Sequence, residues 1–204
     1  MYRLTFSKTG KMRFVGHLDS VEVFRRAVRR SGLPVKYSEG FNPHMELKVA
    51  FPLSLGMEGL HEYMDIVLIE ERDENEITAV LNPCLPEGLK ILKTEKLPAG
   101  TKSSAALLCR AEYTVTGITD DAEEKINNIL NQNEIYITKK SKKGEKTIEI
   151  RRDIFELKLE NGIISMTLSA GGERNLSPAL VMETITKDPG NIVRKKLILI
   201  TELN

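Results

Sequence analysis

An α+β fold is the architecture this sequence predicts, and three observations predict it. Short stretches alternate apolar and polar residues with a period of two, as half-buried strands do. Longer stretches between them repeat apolar residues every three or four positions, as one face of a helix does. Gly, Pro, Asn and Ser punctuate the changes from one pattern to the other.

The elements follow in order. Tyr2-Arg3-Leu4-Thr5-Phe6 alternates like a strand. Leu18, Val21, Phe24, Ala27 and Val28 form a helical face that Gly32-Leu33-Pro34 stops, with Gly16 as a tolerated N-cap and Asp19 three positions on. Glu46 to Phe51 and His61 to Ile69 alternate again. Asp73 opens a second helix through Ile77, Val80 and Leu81, ended near Pro83, and Leu89 to Lys93 is the next strand. Leu97 to Ser104 gathers proline, glycine and serine and reads as a linker. Beyond it, Cys109 to Gly117 is a strand, and Asp120 or Asp121 caps a helix carrying Ala122, Ile126, Ile129 and Leu130. Ile135 to Ile137 and Thr147 to Ile150 flank a lysine-rich turn as a hairpin. Strands around Phe155 to Leu159 and Ile163 to Leu168 meet at an Asn161-Gly162 turn. Ser177-Pro178 opens a helix with Leu180, Val181 and Ile185, and Lys196 to Thr201 is the last strand. Each half therefore reads β-α-β-β-α-β, and the expectation is two tandem ferredoxin-like halves with antiparallel sheets: residues 1–98, and residues 105–204 with an additional hairpin.

Composition narrows the function classes. Two hundred and four residues with 41% hydrophobic and 29% charged side chains suffice for one or two soluble domains. No apolar run approaches the roughly 18 residues of a membrane span, and Met1-Tyr2-Arg3-Leu4 does not open a signal peptide, so a cytoplasmic protein with no membrane partner is expected. Cys84 and Cys109 are too few for a disulfide framework, a four-cysteine zinc site or an iron–sulfur cluster, so no metal and no cofactor are expected in this chain. Phosphate-loop, dinucleotide, nucleophile-elbow and H-E-x-x-H patterns are absent.

The net charge of +1 conceals an asymmetry. Residues 1–50 hold ten Lys and Arg against four Asp and Glu, a balance of +6; residues 51–100 hold four against ten, a balance of −6. Basic residues concentrate at Lys8, Lys11 and Arg13, at Arg25, Arg26, Arg29 and Arg30, and at Lys139, Lys140, Lys142, Lys143 and Lys146 with Arg151 and Arg152. Such clusters suit a polyanion. The bland account is that helix-terminal arginines complement the macrodipole, with Glu22 pairing Arg26, and that the lysine turn is a solvated tip. Few aromatics and no Trp make any RNA contact chiefly phosphate-directed and salt-sensitive.

Two stretches have marked character: Phe6-Ser7-Lys8-Thr9-Gly10-Lys11-Met12-Arg13-Phe14 leading to His17-Leu18-Asp19, and Tyr37-Ser38-Glu39-Gly40-Phe41-Asn42-Pro43-His44. With Gly171-Gly172-Glu173-Arg174-Asn175-Leu176-Ser177-Pro178 they resemble the radical-SAM-associated family, bacterial proteins of unknown biochemical function found alone or fused to cobalamin-binding radical-SAM proteins. The resemblance implies an accessory role beside a radical-SAM protein acting in tRNA- or rRNA-related modification, with the iron–sulfur cluster and SAM held by that partner. At fold level the arrangement is also similar to the RAMP endonucleases that process CRISPR RNA.

Read physically, Ser7, Lys8 and Lys11 around Gly10 can cradle a phosphate with Arg13 as bidentate donor; the alternative is a polar connection. His17 with Asp19 can do acid–base work, though a capping role is favoured. The leading expectation is a non-catalytic RNA-binding adaptor contacting its ligand through Lys8, Lys11, Arg13, His17, Arg25, Arg29, Tyr37, Asn42 and His44. Gly171, Gly172, Arg174 and Asn175 before a helix N-terminus are candidates for a second anion site, the favoured alternative being a glycine turn that ends a strand. The alternatives are a metal-independent ribonuclease with His17 or His44 as general base, and a protein-interaction domain offering its acidic residues 51–100 to a basic partner. Whether His17 and His44 converge stays open at this level.

Overall fold

A computed structural model describes residues 1–118, 122–141, 144–186, 188 and 190–203. It is a mixed α+β fold whose strands pair mostly antiparallel, and the chain divides into two units, residues 1–108 with 199–204, and residues 109–198. No helix among the described residues is long and apolar enough to cross a membrane.

The first unit runs β1 (Tyr2–Lys8), a 3-10 turn (Gly10–Phe14), α1 (His17–Ser31), β2 (Leu47–Val49), β3 (Glu58–Ile66), α2 (Glu74–Leu81), a 3-10 turn (Asn82–Cys84), β4 (Leu89–Lys96) and a four-residue α3 (Ser104–Leu107). Its strands lie in the order β4-β1-β3-β2, each neighbour antiparallel. Helix α1 starts after extended Gly16 and stops where Gly32 takes a φ of +73°, a left-handed conformation that glycine adopts without a steric penalty. It buries Ser20, Phe24, Ala27 and Val28, and Phe24 meets Phe6 of β1 edge to face at 4.8 Å. Leu18, expected on this buried face, is 77% exposed, because the stripe begins a turn later. Asp73 caps α2 as expected, its Oδ1 accepting from the Asn75 and Glu76 amides at 2.8 and 3.1 Å.

Strand β1 departs from the half-buried reading, since Tyr2 through Phe6 are all buried. Arg3 stands directly across the ladder from Asp65 of β3, and its Nε donates to Asp65 Oδ1 at 2.9 Å. The other carboxylate oxygen accepts from the Ser104 amide at 2.5 Å and its hydroxyl at 2.9 Å, while Arg3 Nη2 reaches the Lys102 carbonyl at 3.1 Å. The segment expected as a linker is therefore fastened at its C-terminal end onto the first unit by a buried ion pair, and the unit continues to residue 108.

The second unit runs β5 (Leu108–Thr116), α4 (Ala122–Leu130), β6 (Tyr136–Ser141), β7 (Gly144–Glu149), a 3-10 turn (Arg151–Asp153), β8 (Ile154–Glu160), β9 (Ile163–Ser169), α5 (Pro178–Ile185) and β10 (Asn191–Leu199). Strand order is β10-β5-β9-β8, and β6-β7 forms a separate two-stranded ribbon. Asn161 and Gly162 take φ of +52° and +74°, the signature of a tight type I′ hairpin. Ser177 precedes α5, but its side chain makes no capping bond; its carbonyl starts the helix, accepting from Leu180 at 3.1 Å. The last strand begins at Asn191 rather than Lys196, and residues 200–202 turn into a 3-10 helix. The expected caps Asp120 and Asp121, and the hairpin-tip residues Lys142 and Lys143, lie outside the described residues.

Candidate nucleic-acid interface

The first motif loop leaves β1 at Lys8 and folds on itself. The Thr9 amide donates to the Gly88 carbonyl at 2.8 Å, and Gly88 has φ of +89° with Thr9's carbonyl oxygen only 2.5 Å from where a Cβ would stand, so only glycine fits. Gly10, also at positive φ, points its amide at Glu58 Oε1, 2.9 Å away. Arg13 Nη1 stands 3.9 Å from the same oxygen, with its guanidinium 4.7 Å over the Phe14 ring. The carboxylate of Glu58, from the start of β3, thus occupies the place expected for a phosphate. Lys11 is exposed, and Ser7 is half-buried.

Lys8 does not belong to an exposed cationic edge. It is 3% exposed, and its Nζ donates to the Val15 carbonyl at 2.5 Å. The signal was present in the sequence, because period two from Leu4 and Phe6 points Lys8 to the same face. Lys8, His17, Ser20 and the 1%-exposed Glu62 line one cavity beside Phe6 and Phe24. Its volume is about 20 Å³, room for roughly one water molecule. Burial first, and then the Lys8 ammonium, push the His17 imidazole below its usual pKa, which favours the neutral ring. Asp19 is exposed and makes no bond to His17 among the described residues, and His44 does not line this cavity. No group of three or more His, Cys, Asp or Glu side chains among the described residues can hold a metal ion.

On α1 the arginines divide by face. Arg25, expected to contact a ligand, pairs through Nη1 with Glu22 and is half-buried. Glu22 was expected to pair with Arg26; it takes Arg25 at i+3, and among the described residues Arg26 makes only a 3.3 Å bond from Nε to the Glu22 carbonyl. Arg30 Nη2 donates to the Cys84 carbonyl at 2.6 Å, and Arg29 is exposed. Among the described residues no carboxylate pairs with Arg26, Arg29 or Arg30. Arg26 and Arg30, members of the basic cluster but not of the expected contact set that takes Arg25 and Arg29 from it, lie one helical turn apart and line an open groove with Val23 and residues 83–86.

The second motif loop closes on its own backbone. The Ser38 amide donates to the His44 carbonyl at 2.8 Å, the His44 amide donates back to Ser38 Oγ at 2.9 Å, and Tyr37 bridges to Met45. Gly40 at φ of +120° turns the chain, and Tyr37, Phe41, Asn42 and His44 are all exposed. In the second unit, Arg174 is not free for an anion. It grips Asp153 with Nε to Oδ1 at 2.6 Å and Nη2 to Oδ2 at 2.8 Å, and Ser169 Oγ donates to Oδ1 at 2.7 Å. The Arg174 bond, against the opposing effect of burial, holds the Asp153 carboxyl below the usual carboxylate range. Gly172 and Asn175 are exposed and Gly171 is half-buried, around a loop clamped by Asp153. Arg152 pairs with Glu149 at 2.8 Å, and the ribbon's register sets Lys139 opposite Lys146 and Lys140 opposite Glu145.

Comparison with known proteins adds three findings. No curated protein matches the sequence. Among solved structures, a chain from the crystal structure of a Cbf5-Nop10-Gar1 complex is similar at 13% identity and a TM-score of 0.45, over 96% of this chain and 48% of that one. The chain thus spans about half the length of that chain, and a likeness this slight supports no argument. A family model matches residues 1–178, and on that match the chain belongs to the family described as "Uncharacterized protein conserved in bacteria (DUF2344)".

Proposed function

We propose that this chain is a non-catalytic accessory protein of a radical-SAM enzyme, and that it binds RNA in tRNA- or rRNA-related modification. One observation carries the RNA part: Arg26, Arg29 and Arg30 present three guanidinium groups with no carboxylate partner among the described residues, while Lys8 is buried on the Val15 carbonyl and Arg13 and Arg25 face the partly exposed carboxylates of Glu58 and Glu22. Planar, permanently charged forks on one helix are suited to phosphate. The radical-SAM part rests on the motif resemblance at residues 6–19, 37–44 and 171–178. The cluster and SAM belong to the partner, since Cys84 and Cys109 are the chain's only thiols.

Two ferredoxin-like halves form part of this reading. Its support is the β4-β1-β3-β2 order of the first unit and the β10-β5-β9-β8 order of the second, with β6-β7 inserted after α4. The ribonuclease alternative gains nothing from the geometry: the His17 cavity holds about one water, too little for a ribose, and His44 lies outside it. The test is fluorescence anisotropy of labelled tRNA with the full chain at about 50 mM and about 200 mM salt. Measurable affinity at the lower salt, falling roughly tenfold at the higher, is expected. No binding at low salt overturns the proposal.

A further inference from the structure

Resting on the RNA reading above, we infer that the groove between α1 and the segment after α2 is a site for unpaired, single-stranded RNA. One wall carries Arg26 and Arg30, four residues apart and so side by side on the helix. The facing wall is Pro83-Cys84-Leu85-Pro86, which has no charged side chain, and Val23 completes the lining. The groove is open and holds about 580 Å³, within the roughly 300–1,000 Å³ of ligand clefts.

The two walls ask for different chemistry from one ligand. Arg30 is held in place by its bond to the Cys84 carbonyl, so its remaining N–H groups are preorganised, and Arg26 spends only Nε on the Glu22 carbonyl. Two forks that no carboxylate pairs with among the described residues can grip a phosphodiester, and exposed Arg29 extends the cationic track along the helix. Proline and leucine opposite offer an apolar surface to the face of a base. A duplex stacks its bases inside and presents phosphate and sugar, leaving that wall unused, whereas a single strand can lay a splayed base against it. No side chain of the wall reads a base edge, so binding is indifferent to sequence. An acidic peptide shares the charge but not the alternation of phosphate and planar base.

Cys84 provides a reporter inside the groove, and Cys109, in the other unit with its Sγ bonded to the Ile198 carbonyl at 3.3 Å, is the internal control. The experiment is iodoacetamide alkylation of the full chain, followed by peptide mass spectrometry, with oligouridine, blunt RNA duplex or poly-glutamate present. Oligouridine is expected to slow modification of Cys84 at least about fivefold and leave Cys109 unchanged, with little effect from duplex or poly-glutamate. Arg26→Gln/Arg30→Gln should abolish the protection, weaken oligouridine binding roughly tenfold and flatten the log–log salt dependence by about 1.4. RNA that binds without protecting Cys84 overturns this site while leaving RNA binding intact. Equal protection by duplex overturns the strandedness, equal protection by poly-glutamate reassigns the groove to an acidic protein, and no RNA affinity at low salt removes both readings together.

Discussion

The two motif loops of the first unit have opposite fates. Residues 7–17 carry two lysines, an arginine and a histidine around glycines, and most of that polarity is turned inward or answered: Lys8 by the Val15 carbonyl, Gly10 and Arg13 by Glu58. Residues 37–44 carry no Lys or Arg, yet Tyr37, Phe41, Asn42 and His44 stand exposed on a backbone fixed by the reciprocal Ser38–His44 bonds. The difference lies in what each loop meets. The first leaves β1 alongside β3, which supplies the Glu58 and Glu62 carboxylates; the second spends its hydrogen bonds on its own closure. A cluster of positive charge in a sequence is therefore a poor guide to an open anion site where an adjacent strand brings its own acids.

The sharpest way to break this contrast is within one loop. Lys8→Ala removes a buried ammonium and leaves Val15's carbonyl without its donor, so it should cost about 1–3 kcal/mol in urea unfolding. Lys11→Ala, exposed three residues on, should change stability by less than about 0.5 kcal/mol. Equal, small losses would mean that Lys8 samples solvent and the loop is not turned inward.

Much of the fold was legible because local rules settle it. The α1 face, its stop at Gly32, the Asp73 cap and the Asn161-Gly162 hairpin each follow from residues within a turn of one another. What escaped depends on distant partners. The Pro-Gly-Ser stretch read as a linker because nothing local reveals that Asp65 holds Ser104 from 39 residues away. Arg174 read as an anion donor because its bidentate partner Asp153 is 21 residues off. Arg25 and Arg26 differ only in whether Glu22 reaches i+3 or i+4, a choice that helix geometry alone leaves balanced. Lys8 is the one miss with a local signal, since strand alternation had already placed it beside Leu4 and Phe6.

Glu58→Gln sharpens the same contrast at a smaller scale. The amide oxygen can still accept from Gly10, but its attraction for Arg13 is lost across a 3.9 Å, partly exposed pair, so the expected cost is roughly 0.5–1 kcal/mol by urea unfolding. If the carboxylate is a structural partner of the loop, RNA affinity should rise no more than about threefold through the added net charge. A rise of tenfold or more, with stability unchanged, would instead make Glu58 a mask over an anion site, and the two loops would no longer be opposites.

The smallest stability effect belongs to the outward loop. Phe41 is fully exposed, whereas Phe24 is 1% exposed in the core. Phe24→Ala should cost about 3–5 kcal/mol, and Phe41→Ala should stay within about 0.5 kcal/mol of the parent because no apolar surface returns to water. Thermal or urea unfolding of the two variants side by side gives both numbers. A loss above about 1 kcal/mol in Phe41→Ala would show that the ring packs against the protein in solution. The bonds that fix Tyr37 to His44 would then serve the loop's own stability, and the display of an aromatic tip to the outside would be lost as its physical reading.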